Sequence, residues 1–378
     1  MNLLKKHNIH IVGTGTIGLP LAGLFSRYKD KFNVGEVTFH KNTPWSHDIN
    51  NVKQLLKAGA KLSTDKSKFK EFERLGVTPS YTRVEAIERA DVIIDCTPSG
   101  TAINHKGKYY NTRKGSRLFV AQGSEKGFGK IFAHGVNNEA LDDTDQFLQV
   151  ASCNTHAGAA IMKTLAGLGE LSEADFVYIR RSNDISQDSG ITPSVEVGNH
   201  PEMTFGTHHA IDIHDIFRTV DKYYKVYSSA CKVNSQLMHT MRYDIMIHTN
   251  RMLTPAKIQE AFHGNRRIAL TKHKTANKVF SHGREFGYYG RILNQVVIPE
   301  NTISVERVVN DIITDGHVMI GAEKYYNTYR IRGFAFTPQD GNSLISSVSA
   351  ALWHMNDRDW DKVDEQLHHL DEFLFEMV

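Results

Sequence analysis

The stretch HNIHIVGTGTIGLPLAGLF, residues 7–25, contains a β-branched run, a glycine turn and an apolar segment typical of a helix. Its glycines, Gly13, Gly15 and Gly18, have the GxGxxG spacing of a dinucleotide-binding turn. The first glycine permits a tight turn, the second lets the backbone approach a pyrophosphate, and the third lets helix and strand pack closely. We therefore predict a Rossmann-type cofactor site here, with Thr16 and Ile17 in the same turn.

Further strand-like segments follow at regular distances. They are VGEVTFH at 34–40, ADVIIDCTP at 90–98 and SRLFVAQG at 116–123, and the segment at 66–76 between them is typical of a helix. Strands that alternate with helices predict a parallel, doubly wound sheet of the α/β class.

The turns after two of these strands are rich in small and polar residues. In such sheets the ligand lies beyond the carboxyl ends of the strands, so these turns are expected to pass over a nicotinamide. The alternative is that they are simple surface turns. The predicted cofactor-binding residues of these turns are Thr97, Pro98, Gly100, Gln122 and Gly123.

Composition limits the possible functions. At 378 residues, the chain is long enough for two domains, and its formal net charge of +3 does not indicate nucleic acid or a membrane as the main partner. The three cysteines have no CxxC spacing, and no cluster has strong metal-ligand spacing, so we expect neither disulfides nor a metal. Without an apolar run of the roughly 18 residues that span a bilayer, a cytoplasmic location is expected.

The residues that could take part in catalysis or binding lie beyond residue 150. The sequence of this part of the chain is typical of an α+β domain. The stretch ASCNTHAG, residues 151–158, contains a cysteine and is followed by a run typical of a helix. A cysteine at a helix N-terminus interacts with the helix dipole, which favours a thiolate at neutral pH. An arginine pair suits a phosphate. The alternatives are a buried small hydrophobe, a salt-bridged pair and structural histidines. The residues are Cys153, Arg180, Arg181, His208, His209 and His239.

Six motifs, taken together and in this order, resemble those of type II, archaeal phosphorylating glyceraldehyde-3-phosphate dehydrogenase. The resemblance covers most of the chain, although residues 255–335 match only loosely, and FTPQDGNSLISSVSAALW is similar to the family's VPENIDAIRA helix. The motifs are CTPSG for the family's ATPxG, QGSEK for QGGEK, SCNTHAG for SCNTTG, RRSNDI for RRAADP, THHAID for SHHGPD, and SQLMHTM for TTLMHVH.

The resemblance implies a role for each of these residues. Cys153 would be the nucleophile that forms a thioester, and His239 the general base. Arg180 and Arg181 would contact the substrate phosphate, with His208 and His209 beside the catalytic centre. In the mechanism, a backbone N–H near Cys153 or the Asn154 side chain would stabilise the oxyanion. Polar groups near Thr155, with the arginines, would hold inorganic phosphate.

Several positions depart from the family pattern. His156 replaces the second threonine of SCNTTG, and Met241 replaces the second histidine of MHVH. Ala210 and Ile211 replace Gly-Pro, and TPQDGN lacks the PEN triplet. These changes affect the rim of the predicted site, so substrate identity and phosphate use depend on them more than the basic chemistry does.

The cofactor prediction depends on the residues after the second strand. NAD-specific Rossmann folds usually carry an acidic residue about 20 residues beyond the glycine turn, and this sequence has HKNT there. Lys41 and Asn42 instead favour the 2′-phosphate of NADP, and the family has a similar Lys-Thr pair. We expect NADP to be used at least as well as NAD; the alternative is a solvated lysine.

The resemblance also implies the domain organisation. Residues 1–152 and 336–378 would form the NAD(P)-binding Rossmann domain, and residues 153–335 an α+β catalytic domain with a mainly antiparallel sheet. The partners would be a phosphorylated aldehyde and inorganic phosphate, in a homotetramer of glycolysis or gluconeogenesis. Two alternatives stay open: a related acyl-enzyme dehydrogenase such as aspartate-semialdehyde dehydrogenase, or a non-catalytic nucleotide-binding relative.

Overall fold

The computed structural model describes residues 6–113, 115, 117–185, 187, 189–308, 318–320, 323–325 and 327–378. Within these residues the chain forms two large β-sheets and a separate two-stranded hairpin. One large sheet is parallel and the other is mixed, mostly antiparallel. The predicted α/β class, with a Rossmann-type sheet and an antiparallel second sheet, is confirmed.

The first sheet is parallel throughout, with the strand order β4-β3-β2-β1-β5-β6-β8-β7. Its strands are β1 (His7–Val12), β2 (Val34–His40), β3 (Lys61–Thr64), β4 (Tyr81–Thr82), β5 (Val92–Asp95), β6 (Leu118–Gln122), β7 (Lys130–Phe132) and β8 (Phe147–Val150). The helices between them are α1 (Gly18–Arg27), α2 (Ile49–Lys57), α3 (Phe69–Arg74), α4 (Arg83–Arg89) and α5 (Thr101–His105).

The predicted elements of this sheet are present, with shorter bounds. The strand at 34–40 is found as predicted, whereas β5 and β6 each end before the glycine-rich turns that were included in the predicted strands. The segment at 66–76 begins as a 3-10 helix, Lys66–Lys68, and continues as α3. Polar turn residues end the strands early because their side chains bond locally, as when the Thr97 hydroxyl donates to Asp95.

The second sheet has the order β10-β11-β9-β12-β18-β14-β13, and β15 pairs with β18. Its strands are β9 (Glu170–Arg180), β10 (Glu196–Val197), β11 (Lys225–Lys232), β12 (His239–Thr249), β13 (Ile268–Thr271), β14 (Val296–Pro299), β15 (Ser304–Val308) and β18 (Asn327–Thr337), while β16 (Val318–Ile320) and β17 (Glu323–Tyr325) form the hairpin. Helices α6 (Cys153–Ala166), α7 (His208–Arg218), α8 (Pro255–His263) and α9 (Ala276–Arg284) accompany it.

The C-terminal helices return to the first sheet. Helix α10 (Leu344–Met355) buries Trp353 in the core that β1 and α1 share, and α11 (Trp360–Leu367) continues as a 3-10 helix, His368–Phe373. Residues 360–375 pack an apolar face on this core through Val363, Leu367 and Leu370. The domain boundaries themselves stay a prediction, but the C-terminal return that they assume is present.

The three glycines of the first turn each meet a different spatial constraint. Gly13 has a φ of +94°, and a Cβ atom on it would lie 3.2 Å from the Cys96 carbonyl oxygen. A Cβ atom on Gly18 would lie only 2.1 Å from the Gly13 carbonyl oxygen, whereas nothing lies within 4 Å of one on Gly15. Gly18 therefore serves helix packing, and the space beside Gly15 is open to a ligand.

This contrast predicts that two matched substitutions affect the free energy of unfolding to different extents. Gly18→Ala forces its new methyl group against the Gly13 carbonyl, so we expect a loss of about 1–3 kcal/mol of unfolding free energy. Gly15→Ala enters open space and should change stability by less than about 0.5 kcal/mol. Chemical denaturation of the two variants measures the difference, and equal stabilities would contradict the packing role of Gly18.

Candidate active site

The nucleophile candidate lies where the parallel sheet meets the second domain. Strand β8 ends at Val150, and helix α6 begins three residues later at Cys153. The same edge carries the glycine turn and the turns after β5 and β6, because the carboxyl ends of parallel strands point the same way. Cys153 therefore stands at the N-terminus of α6, three residues beyond the carboxyl-end edge of the sheet.

Two strands of the second sheet bring the basic residues to this place. β9 ends at Arg180, β12 begins at His239, and the two strands pair antiparallel. The backbone N–H of Arg181 donates a 3.0 Å hydrogen bond to His239 Nδ1. This bond needs an unprotonated Nδ1, so the neutral ring carries its proton on Nε2 and can donate from there.

The two arginines have different environments. Arg181 is 4% exposed and forms an ion pair with Asp184, whose carboxylate also accepts a 3.0 Å hydrogen bond from Gln339. Arg180 is exposed and has no ion-pair partner among the described residues. Arg180 thus exposes its side chain to solvent, whereas Arg181 is buried in its pair with Asp184.

The electrostatics of the site correct one expectation. Burial raises the pKa of the Cys153 thiol to about 11, although Arg181, the Asn154 backbone N–H and Arg180 all act to lower it. The prediction of a thiolate at neutral pH is therefore wrong for the protein without ligands. The helix N-terminus is a local feature that the sequence shows, whereas the burial that outweighs it comes from the tertiary structure.

The histidines of the site are neutral. Burial, assisted by Arg181 and Arg180, lowers the pKa of His239 to about 3. Burial also lowers the pKa values of His208 and His209, and Arg180 adds to both shifts. Arg180 is the group that these sites share, because it influences the pKa values of all three histidines and of Cys153.

Asn154 and Thr155 lie deeper than the sequence suggested. Asn154 is 1% exposed, and its amide nitrogen lies 3.4 Å from His209 Nε2. Thr155 is fully buried, and its hydroxyl pairs with Ser152 Oγ at 2.8 Å. Their predicted contacts with the oxyanion and with phosphate stay predictions, and the Asn154 backbone N–H interacts with the Cys153 thiol.

The departures from the family motif have structural explanations. His156 is fully buried, with Nδ1 3.0 Å from the Ser152 carbonyl oxygen and Nε2 2.8 Å from Ser346 Oγ on α10. Burial lowers its pKa to about 4, so it is a neutral ring with both nitrogens hydrogen-bonded. Met241 is fully buried in the apolar core between the second sheet and its helices. His156 thus ties the residue before Cys153 to the C-terminal helix.

Sequence reasoning missed further contacts that hold the site. Asn342 donates from Nδ2 to the carbonyl oxygen of Cys153 at 2.8 Å, across 189 residues of chain. Glu125 accepts from the backbone N–H of Gly100 and of Ile103, which fixes the turn after β5. In the sequence, TPQDGN differs from the family in lacking the PEN triplet. No local pattern indicated the hydrogen-bond partners of its asparagine, Asn342.

Asp212 is a further missed residue. It accepts a 2.9 Å hydrogen bond from Ser124 Oγ, which links α7 to the turn after β6, and burial raises its pKa to about 6. It lines a cavity of about 240 Å³ with Lys126 and Arg218. The Ser124–Asp212 contact therefore joins the predicted cofactor turn to the helix that carries the His208–His209 pair.

A dinucleotide fits the residues at the sheet edge. The space beside Gly15 is open, and the buried Oε1 atom of Gln122 and Oδ1 atom of Asn342 have no hydrogen-bond partner within the described residues. The other predicted cofactor residues, Thr97, Pro98, Gly100 and Gly123, lie in the turns at the same edge. Asn42 is partly engaged, since its Oδ1 atom accepts from Thr64 and from the backbone of Asp65.

Across the residues that the structure describes, no helix is long and apolar enough to cross a bilayer. In the same residues no group of three or more potential ligands is arranged to hold a metal ion.

Curated proteins that match the chain are archaeal glyceraldehyde-3-phosphate dehydrogenases. The chain is 25% identical to the one from Thermoplasma volcanium over 304 residues, 79% of this chain and 84% of the relative. It is 28% identical to those from Picrophilus torridus, over 271 residues, and Pyrococcus abyssi, over 277 residues, each match covering 70% of this chain and 73% of the relative. No protein-family model matches the chain. These similarities confirm the resemblance that the motifs indicated.

The perturbed thiol gives a direct prediction. Because the pKa of Cys153 is about 11, its alkylation by iodoacetamide should accelerate about tenfold per pH unit from about pH 7 to about pH 9.5. The measurement is the labelling rate of the peptide containing Cys153, with Cys153→Ser as the control for Cys96 and Cys231. A plateau of the rate below about pH 8 would contradict the raised pKa.

Proposed function

We propose that the protein is an NAD(P)-dependent phosphorylating glyceraldehyde-3-phosphate dehydrogenase. The observation that supports this proposal is that Cys153 begins α6, and that Arg180 and Arg181 act electrostatically on both Cys153 and His239. The archaeal relatives are named glyceraldehyde-3-phosphate dehydrogenase, and their matches extend over most of the chain. A nucleophile between a dinucleotide site and an anion-binding group suits the oxidation of a phosphorylated aldehyde.

The first step is the attack of the Cys153 sulfur on the aldehyde carbon. A carbon–sulfur bond forms, the thiol proton leaves to solvent, and the carbonyl oxygen becomes an oxyanion. The Asn154 backbone N–H and the Nε2–H of His239 are the donors that stabilise this charge. The nearby cations of Arg181 and Arg180 favour the departure of the thiol proton as the substrate enters.

The next step is oxidation to a thioester. The bound nicotinamide cofactor supplies the hydride acceptor. Collapse of the oxyanion releases the hydride and leaves an acyl group on Cys153. A general-base role of His239, predicted from the resemblance, would require its proton to move from Nε2 to Nδ1, whereas the hydrogen bond from Arg181 favours the donor role.

The last step transfers the acyl group to inorganic phosphate. A phosphate oxygen attacks the thioester carbon, the carbon–sulfur bond breaks, and an acyl phosphate leaves the restored cysteine. We assign the substrate phosphate to Arg180, because its guanidinium is exposed and unpaired among the described residues. Arg181 positions His239 through its backbone and cannot turn to substrate without breaking its pair with Asp184.

Other properties follow from the resemblance alone. We propose NAD or NADP as the cofactor, a homotetrameric assembly and a cytoplasmic location. His208 and His209 are proposed to line the substrate side of the site, since Arg180 influences both rings. An assay with and without inorganic phosphate tests the proposed phosphorylating reaction.

The assay follows the reduced nicotinamide with glyceraldehyde 3-phosphate, with and without inorganic phosphate. We expect steady turnover only with phosphate, and Cys153→Ser should lose at least about 10³-fold in kcat while it still binds the cofactor. Turnover that ignores phosphate would contradict the phosphorylating reaction. Preference for aspartate semialdehyde, or cofactor binding without any turnover, would favour the two alternative functions.

A further inference from the structure

The end of β2 lies where Rossmann folds bind the adenosine ribose. The carbonyl of His40, the last residue of β2, accepts a 3.1 Å hydrogen bond from the backbone of Gly13, so this strand end touches the glycine turn. A carboxylate at this place usually accepts hydrogen bonds from the ribose hydroxyls of NAD and repels the 2′-phosphate of NADP. The next residue of this chain is Lys41, a cation.

Lys41 is already paired in the structure. Its Nζ atom forms an ion pair with the carboxylate of Asp48 and lies 3.4 Å from the Thr14 hydroxyl in the glycine turn. The Lys41 side chain is only 9% exposed, and its Nζ atom lies 5.9 Å from the centroid of the Trp45 ring. Lys41 is therefore held at the end of β2, where the ribose is expected, and the Asp48 carboxylate balances its positive charge.

Asp48 is held in place by its own neighbours. It lies in the short 3-10 helix Ser46–Asp48 ahead of α2, and its Oδ1 atom accepts a 2.5 Å hydrogen bond from Asn51 Nδ2. Asn51 in turn accepts a hydrogen bond from the hydroxyl of Tyr288. The carboxylate thus reaches the end of β2 from the following helix, at a position that the usual acidic-residue spacing does not predict.

We propose that Asp48 is a specificity-determining residue that competes with the 2′-phosphate of NADP for Lys41. This inference rests on the proposed NAD(P)-dependent function. NAD leaves the Lys41–Asp48 pair intact, and the carboxylate faces an uncharged ribose. NADP brings a second anion to the same cation, so its phosphate must displace the carboxylate from Lys41.

The proposal revises the expectation from Lys41 alone. A lone lysine predicts that NADP is used at least as well as NAD, whereas a lysine paired with Asp48 attracts the phosphate less. The full effect of Lys41 on NADP should appear only when the carboxylate is removed. Because the competition is electrostatic, it should also weaken as salt concentration rises.

The test measures the dissociation constants of NAD⁺ and NADP⁺ by calorimetry, in the absence of aldehyde. Asp48→Asn should tighten NADP⁺ relative to NAD⁺ by about tenfold at low salt, and by less at high salt. In the background of Lys41→Ala this gain should disappear, because Asp48 acts through Lys41. Glu36→Gln is the matched control: Glu36 lies on β2 and pairs with Lys61 and Arg89, away from the glycine turn.

The outcomes separate this proposal from the proposed function. A tenfold shift that depends on Lys41 supports it even if the protein shows no dehydrogenase turnover. Binding of both cofactors with an unchanged ratio in Asp48→Asn, an equal shift in Glu36→Gln, or a full shift without Lys41 would overturn it while leaving the dehydrogenase function in place. Failure of the wild-type protein to bind either cofactor would overturn both.

Discussion

The attachment of the C-terminal segment to the start of α6 is the constraint on which the site depends. Asn342 donates to the carbonyl of Cys153, and Ser346 bonds to His156, whose other ring nitrogen lies against the carbonyl of Ser152. Helix α10 meanwhile packs in the core of the parallel sheet. The segment that packs on the parallel sheet therefore also holds the start of α6, so the position of Cys153 relative to that sheet is set by packing.

Burial and charge oppose each other at the thiol. A dry site strengthens the hydrogen bonds that stabilise an oxyanion, yet it also raises the pKa of Cys153 to about 11. Arg181 and Arg180 act against this shift, and Arg181 also fixes the His239 ring through its backbone. The structure is thus arranged to favour charge that develops during reaction over charge in the resting protein.

The sequence predicted those features that depend on neighbouring residues. The glycine turn and the strand at 34–40 were correct because each is encoded within a few residues. The helix predicted after residue 158 is present but begins earlier, at Cys153. The predicted thiolate state of Cys153 was wrong because burial, which the fold creates, raises the pKa of its thiol. The contacts of Asn342 and Asp48 were missed because only the fold brings their partners together. The difference between Arg180 and Arg181 has the same origin, since adjacent residues at a strand end face different surroundings.

The central claim is that Cys153 carries the substrate as a thioester, and trapping this species tests the claim most directly. The protein would be mixed with glyceraldehyde 3-phosphate and NAD(P)⁺ without inorganic phosphate, quenched in acid, digested and analysed by mass spectrometry. The account predicts one phosphoglyceroyl group on the peptide containing Cys153 and about one reduced nicotinamide per subunit. Reduction of the nicotinamide with no acyl group on Cys153, or an equal yield from Cys153→Ser, would contradict it.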